Sequence, residues 1–120
     1  MTVPSDTAFK LIDSTEWTAA LGSGRYDGSA VDRTDGYIHM STSAQLAETA
    51  RRHYAGRNGL VLLAVKADAL GNALVWEPSR GGDLFPHLYA PLPVTAVGSV
   101  RALVVTGDGH MRFDDGGTAP

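Results

Sequence analysis

Cysteine is absent from the 120 residues, so no disulfide and no thiolate metal site can exist. Lysine is almost absent: two lysines stand beside eight arginines. The net charge of −3 and pI of about 5.7 argue against a strongly basic nucleic-acid face. DNA and RNA are therefore not expected partners. Long apolar runs are missing too. The longest, Leu60 to Val65, is far too short to span a bilayer, so no membrane partner is expected. Met1-Thr2-Val3-Pro4-Ser5-Asp6 has neither a basic start nor an apolar run, and a cytoplasmic location is the expectation. Three catalytic signatures are also lacking: no G-x-x-x-x-G-K phosphate loop, no G-x-S-x-G nucleophile elbow and no H-E-x-x-H zinc helix.

What is present is a chain of single-domain length with 43% hydrophobic residues. Residues 1–7 read as a loose arm. Ala8 to Ile12 predicts a strand, with Phe9 and Leu11 on one face. Asp13-Ser14-Thr15-Glu16 resembles a capping box opening a short helix that Gly22-Ser23-Gly24 ends. Arg25 to Asp35 is polar and reads as a long irregular loop. Gly36 to Ser41 predicts a strand that sends Ile38 and Met40 to the core and Tyr37, His39 and Ser41 to the other face. Thr42-Ser43-Ala44-Gln45 opens a second helix, closed by Gly56 and Asn58-Gly59. Leu60 to Val65 predicts a strand buried on both faces. Asp68 to Asn72 reads as a turn, Ala73 to Glu77 as a strand and Val94 to Val105 as a last strand or broken pair with a bulge or a bend at Gly98.

This order predicts an α+β domain over residues 1–106, with two short helices. Its mainly antiparallel sheet splits into two small packed sheets around a cleft. Residues 107–120, rich in glycine and aspartate, are expected to be a disordered tail.

Chemistry concentrates between Trp76 and Tyr89. Pro78 and Pro86 stiffen the ends of this stretch, and Gly81-Gly82 lets it turn sharply. The expectation is a stiff loop closing over the polar row of Tyr37, His39 and Ser41. His39 can be a quiet strand histidine or can hold a ribose or phosphate with its neighbours. His87 can belong to a packed aromatic turn or to the site. Arg80 beside Gly81-Gly82 reads either as an anion clamp or as an ion-pair partner of Asp83 or Glu77. Glu77 and Asp83 can be paired as glycosidase-type carboxylates, but spacing alone decides nothing. His39 and His87 with Glu77 or Asp83 are the only group that resembles a metal set.

Gly28-Ser29-Ala30-Val31-Asp32, then Asp35 to Thr42, and the whole run Trp76 to Tyr89 resemble the signature of domain-of-unknown-function family 952. The resemblance covers roughly residues 8 to 104. It implies membership of the ADP-ribosyltransferase-like fold group, alongside RNA 2′-phosphotransferases and NAD-using toxins. It implies a site in which His39 matches the ribose-holding histidine and Ser41 the following hydroxyl residue. Met40 stands where those enzymes carry glycine. No glutamate follows Glu77, so the late-strand glutamate of the toxins has no counterpart.

The expected catalytic residues are His39, His87 and Glu77. The expected ligand contacts are Tyr37, Ser41, Thr42, Ser79, Arg80, Gly81, Gly82, Asp83 and Tyr89, with no metal. NAD is the implied substrate or ligand, and a nucleotide-like small molecule the expected partner. The function classes are a transferase or glycohydrolase on an NAD-like or other phosphate-bearing nucleotide, a non-catalytic binding module on the same scaffold, or a metal-dependent hydrolase.

Overall fold

The computed structural model describes residues 6–120, the side chain of Arg80 excepted. The expected N-terminal arm thus lies mostly outside the described residues. The apolar run around residue 60 forms the centre of the larger sheet. Its strands are β1 (Thr7–Asp13), β4 (Leu60–Lys66), β8 (Val97–Val105) and β9 (Met111–Phe113), in the order β1-β4-β8-β9 and antiparallel throughout. β4 alternates between two cores because it is covered on both faces. Val61, Leu63 and Val65 join Ala8, Ile12, Ile38, Met40, Leu88 and Leu92 on one side. Leu60 and Leu62 join Phe9, Leu11, Leu46, Leu103, Val105 and Phe113 on the other. Each such side chain removed from water contributes roughly 1.5–3 kcal/mol, so this strand anchors the fold. Of the bulge or bend expected at Gly98, the structure has the bulge: Ala64 faces Ser99 while Val65 faces Val97, leaving Gly98 as the extra residue.

α1 (Ser14–Ser23) follows β1 and ends at Gly24, whose φ of 89° only glycine adopts without strain. Asp13 sits at its N-cap but makes no side-chain cap; its carboxylate pairs with Arg57 instead. α3 (Ser43–His53) has the capping box expected of Thr42 and Gln45, and it buries Leu46 and Ala50 against the second core.

Two smaller sheets complete the domain. β2 (Arg25–Tyr26) pairs with β7 (Leu92–Pro93), and a three-stranded sheet has the order β3-β6-β5. Here β3 is Ile38–His39, β5 is Leu74–Ser79 and β6 is Asp83–Leu88. The architecture is α+β with small antiparallel sheets, in three groups rather than two.

Three expectations need correction. The polar segment after Arg25 contains a third α-helix, α2 (Ala30–Asp35), because Ser29 and Asp32 form a capping box that hydropathy alone does not reveal. The stretch from Trp76 to Tyr89 is a β-hairpin, not a closing loop. Gly81 and Gly82, at φ 83° and 96°, form the turn, and Pro86 is accommodated inside β6 with its carbonyl accepting from Met40 N. The tail is not detached: β9 pairs with β8, Phe113 is buried in the second core, and Asp115 and the Thr118 carbonyl hold Arg101, whose guanidinium lies over the Phe113 ring.

This packing predicts the cost of removing the tail. Phe113→Ala should cost about 3 kcal/mol, as for other buried phenylalanines. Ending the chain at Thr106 should lower the melting temperature by well over the ~4 °C that roughly 1 kcal/mol represents in a domain of this size. An unchanged melting curve for the truncated chain contradicts the packed tail.

Candidate functional site

The site starts with a buried carboxylate. Asp32 is 2% exposed, in the first turn of α2. The chain reaches it through Gly28, at φ +100°, where a Cβ would stand 2.9 Å from that of Asp32, so glycine is required for the approach. Asp32 Oδ2 accepts from Ser29 N at 2.9 Å, closing the capping box. It also accepts from Lys10 Nζ at 3.0 Å, on β1. Oδ1 accepts from the backbone N–H of His39 at 3.1 Å and from His39 Nδ1 at 2.6 Å. Burial alone would raise the carboxyl's pKa. The His39 hydrogen bond, the Lys10 charge and the two backbone N–H groups outweigh burial and hold it well below the usual carboxylate range. Burial lowers the Lys10 pKa, opposed by Asp32.

Strand register then pairs the two histidines. His39 of β3 lies directly opposite His87 of β6, with ring centroids 5.7 Å apart, edge to face. Each ring is oriented at Nδ1 by a carboxylate: His39 by Asp32, His87 by Glu77 Oε1 at 2.7 Å. A carboxylate only accepts, so Nδ1 carries the proton in both contacts. His39 Nε2 meets Asp35 Oδ2 at 2.9 Å, so by the same reasoning this ring donates from both nitrogens. Tyr37 stacks on His87 at 4.1 Å and also touches His39 and Tyr89, at 4.6 and 5.1 Å. Tyr89 donates its hydroxyl to Glu77 at 2.7 Å. That bond, with the one from His87, holds Glu77 below its ordinary pKa, and pushes the Tyr89 phenol up to about 12. His87 is buried, His39 and Glu77 are about one-third exposed, and Tyr89 is half exposed. The result is a partly open face of two oriented imidazoles, two phenol rings and three carboxylates.

Of the expected residues, the fold brings Tyr37, His39, Glu77, His87 and Tyr89 together. Ser41 and Thr42 go elsewhere. Ser41 is buried, its hydroxyl bonds Thr49, and its backbone bridges Phe9; Thr42 caps α3. The reason is that β3 ends at His39, so the period-two row stops before Ser41. Ser79, Gly81, Gly82 and Asp83 occupy the exposed hairpin turn, with Ser79 opposite Asp83. The Arg80 side chain lies outside the described residues. Lys10, Asp32 and Asp35 were missed. The available signals were a lysine alternating with Phe9 and Leu11 in an apolar strand, and the Ser29-x-x-Asp32 spacing. Among the described residues no group of three or more His, Cys, Asp or Glu side chains is placed to hold a metal ion. A cavity of about 320 Å³, lined by Asp6, Lys66, Asp68, Leu74 and Trp76 among others, shares no residue with this cluster. No helix among the described residues is long and apolar enough to cross a membrane.

The sequence profile of a family described as "Protein of unknown function (DUF952)" matches residues 11–100, and the chain belongs to that family. A crystal structure of protein CC0527 from Caulobacter crescentus is 47% identical, with a TM-score of 0.85 over 88% of this chain and 93% of that one. The solution NMR structure of CC0527 is 48% identical, with a TM-score of 0.77 over 88% and 90%. No curated protein matches the chain.

The buried carboxylate predicts an acid limb in stability. Because the Asp32 pKa is depressed on folding, its stabilisation is fully present above the ordinary aspartate value of about 3.9 and is lost as pH falls below it. Asp32→Asn leaves Lys10 buried without a counter-charge and should cost about 3–5 kcal/mol in urea unfolding at pH 7. The loss in the variant should shrink as pH falls toward 3. A loss that is the same at all pH values contradicts the ionic role.

Proposed function

We propose that this DUF952 family member binds the ribose of an NAD-like nucleotide on the His39–His87 face and acts there as a glycohydrolase or transferase. The observation that carries this reading is the opposed pair of imidazoles, each held at Nδ1 by its own carboxylate. Such a pair suits general acid–base work, because the fixed Nδ1 leaves Nε2 of His87 to meet the substrate, while that of His39 is shared with Asp35. The surroundings suit the charge that develops. Breaking the C1′–N bond of NAD gives a ribosyl group with oxocarbenium character while the pyridinium nitrogen takes the bonding pair and leaves as neutral nicotinamide. Carboxylates and ring faces placed beforehand favour that positive charge. Water or another acceptor then bonds to C1′ and gives up a proton, for which His87 Nε2 is the suited base. No glutamate follows Glu77 in the chain, and this proposal assigns the carboxylate of the reaction to Glu77. The ADP-ribosyltransferase-like fold assignment belongs to the same proposal.

A binding module without turnover is the second reading. One observation favours it: Glu77 Oε1 already accepts from both His87 and Tyr89, so that oxygen is occupied. Incubation with NAD, followed by chromatography for nicotinamide, separates the two. Release that falls roughly 10²–10⁴-fold in His87→Ala, with the fold intact by circular dichroism, is the enzyme's result. Calorimetric binding of NAD or ADP-ribose without release supports the module. Neither binding nor release rejects both.

A further inference from the structure

His39 Nε2 is the ring atom a ligand must reach, and a carboxylate already sits on it: Asp35 Oδ2, at 2.9 Å. Asp35 is the last residue of α2, 43% exposed, and Gly36 follows it at φ 90° in the left-handed region. Its carboxylate occupies the position that a ligand oxygen would take. What can share that position depends on charge. A phosphodiester or pyrophosphate-linkage oxygen has no proton to offer, so inserting it means two anionic oxygens facing each other across one N–H. Asp32 behind the ring and Glu77 on the neighbouring His87 add to that repulsion and offset the positive charge of a ring that donates from both nitrogens, whereas the Lys10 ammonium is committed to Asp32. A hydroxyl has no such conflict. It accepts from His39 Nε2–H and donates to Asp35, so both groups keep a hydrogen-bond partner.

We propose that Asp35 is a specificity-determining residue: the subsite at His39 Nε2 takes a neutral hydroxyl, as on ribose, and rejects an anionic oxygen. This rests on the reading of His39 as ligand-facing and sharpens it. The nucleotide's sugar, not its phosphate, lies against His39. Specificity here comes from a repulsive element against the wrong group as much as from attraction to the right one.

The test follows the His39 ring directly. The chain has four histidines, and the imidazole proton resonance of His39 is assigned by its disappearance in His39→Gln. Adenosine, which bears ribose but no phosphate, and dimethyl phosphate, an anionic diester with no proton to donate, are titrated separately at pH 7 into the wild-type chain and Asp35→Asn. Asp35→Ala serves as a second variant, with circular dichroism as the check on folding. The expected result is a His39 shift with adenosine in the wild type and none with phosphate. The Asp35 variants should gain a phosphate response, with an affinity at least about tenfold above wild type, a change of about 1.4 kcal/mol. Equal phosphate binding in wild type and variants overturns the proposal, as does phosphate that binds neither. A His39 resonance that ignores adenosine also overturns it. If His39 behaves as expected but NAD yields no nicotinamide, catalysis falls and the specificity assignment stands.

Discussion

The structure turns on the desolvated carboxylate of Asp32. An aspartate at 2% exposure is tolerated only when its lone pairs are filled, and four donors from three segments fill them. Ser29 N ties it to its own helix, Lys10 to β1, and the main chain and ring of His39 to β3. None of these contacts is strong evidence of net stabilisation, since desolvating Lys10 and Asp32 costs about as much as their attraction returns. What the arrangement does secure is geometry. β1, α2 and β3 must meet in one register, because any other leaves a buried charge unpaired. The orientation of the His39 ring is therefore tied to the packing of the core.

The second histidine is positioned by different means. His87 belongs to the hairpin of β5 and β6, and its place follows from antiparallel register: opposite His39 on one side and Val75 on the other. Period-two alternation sends Leu74, Leu88 and Trp76 toward the first core and Val75, Glu77 and His87 to the opposite face. From the sheet's far side the buried residues hold the strands still, and the face above them keeps its polar groups. One imidazole is anchored through a buried ion pair and the other through β-pairing, with Tyr37 stacked against the second and touching the first.

The face combines basic rings with acidic partners, and the combination narrows its chemistry. Three carboxylates around two imidazoles suit proton movement and developing positive charge better than the capture of a phosphate. The sequence left Arg80 beside Gly81-Gly82 as either an anion clamp or an ion-pair partner of Asp83 or Glu77, and its side chain lies outside the described residues. The described geometry puts Asp35 and Glu77, both acceptors, beside His39 and Tyr89 on the partly open face. Ser41, which the resemblance paired with His39, is turned into the fold to bond Thr49 and serves packing.

Local pattern was enough for the strands around Leu11, Ile38 and Leu62, for the core placement of Ile38 and Met40, for the α3 capping box and for a bulge or bend at Gly98. Each of these follows from interactions within a few residues: side-chain alternation, a cap three positions away, a glycine in a strand. The two conspicuous motifs also announced His39, Glu77 and His87 as chemically rich. Tertiary structure alone decided the rest. Lys10 reads as an ordinary strand lysine until Asp32, 22 positions later, arrives beneath it. The prolines of the Trp76–Tyr89 stretch argue for a loop on local grounds. Pairing with β3 and burial of Phe85, Pro86 and Leu88 make the second half of that stretch a strand instead. The tail after Thr106 is polar in composition, yet Phe113, with Met111 packed beside it, supplies the apolar groups that β8 and the second core could bury. The physical reason is the same in each case. Burial and charge pairing depend on what lies across the fold, and sequence neighbours carry no record of it.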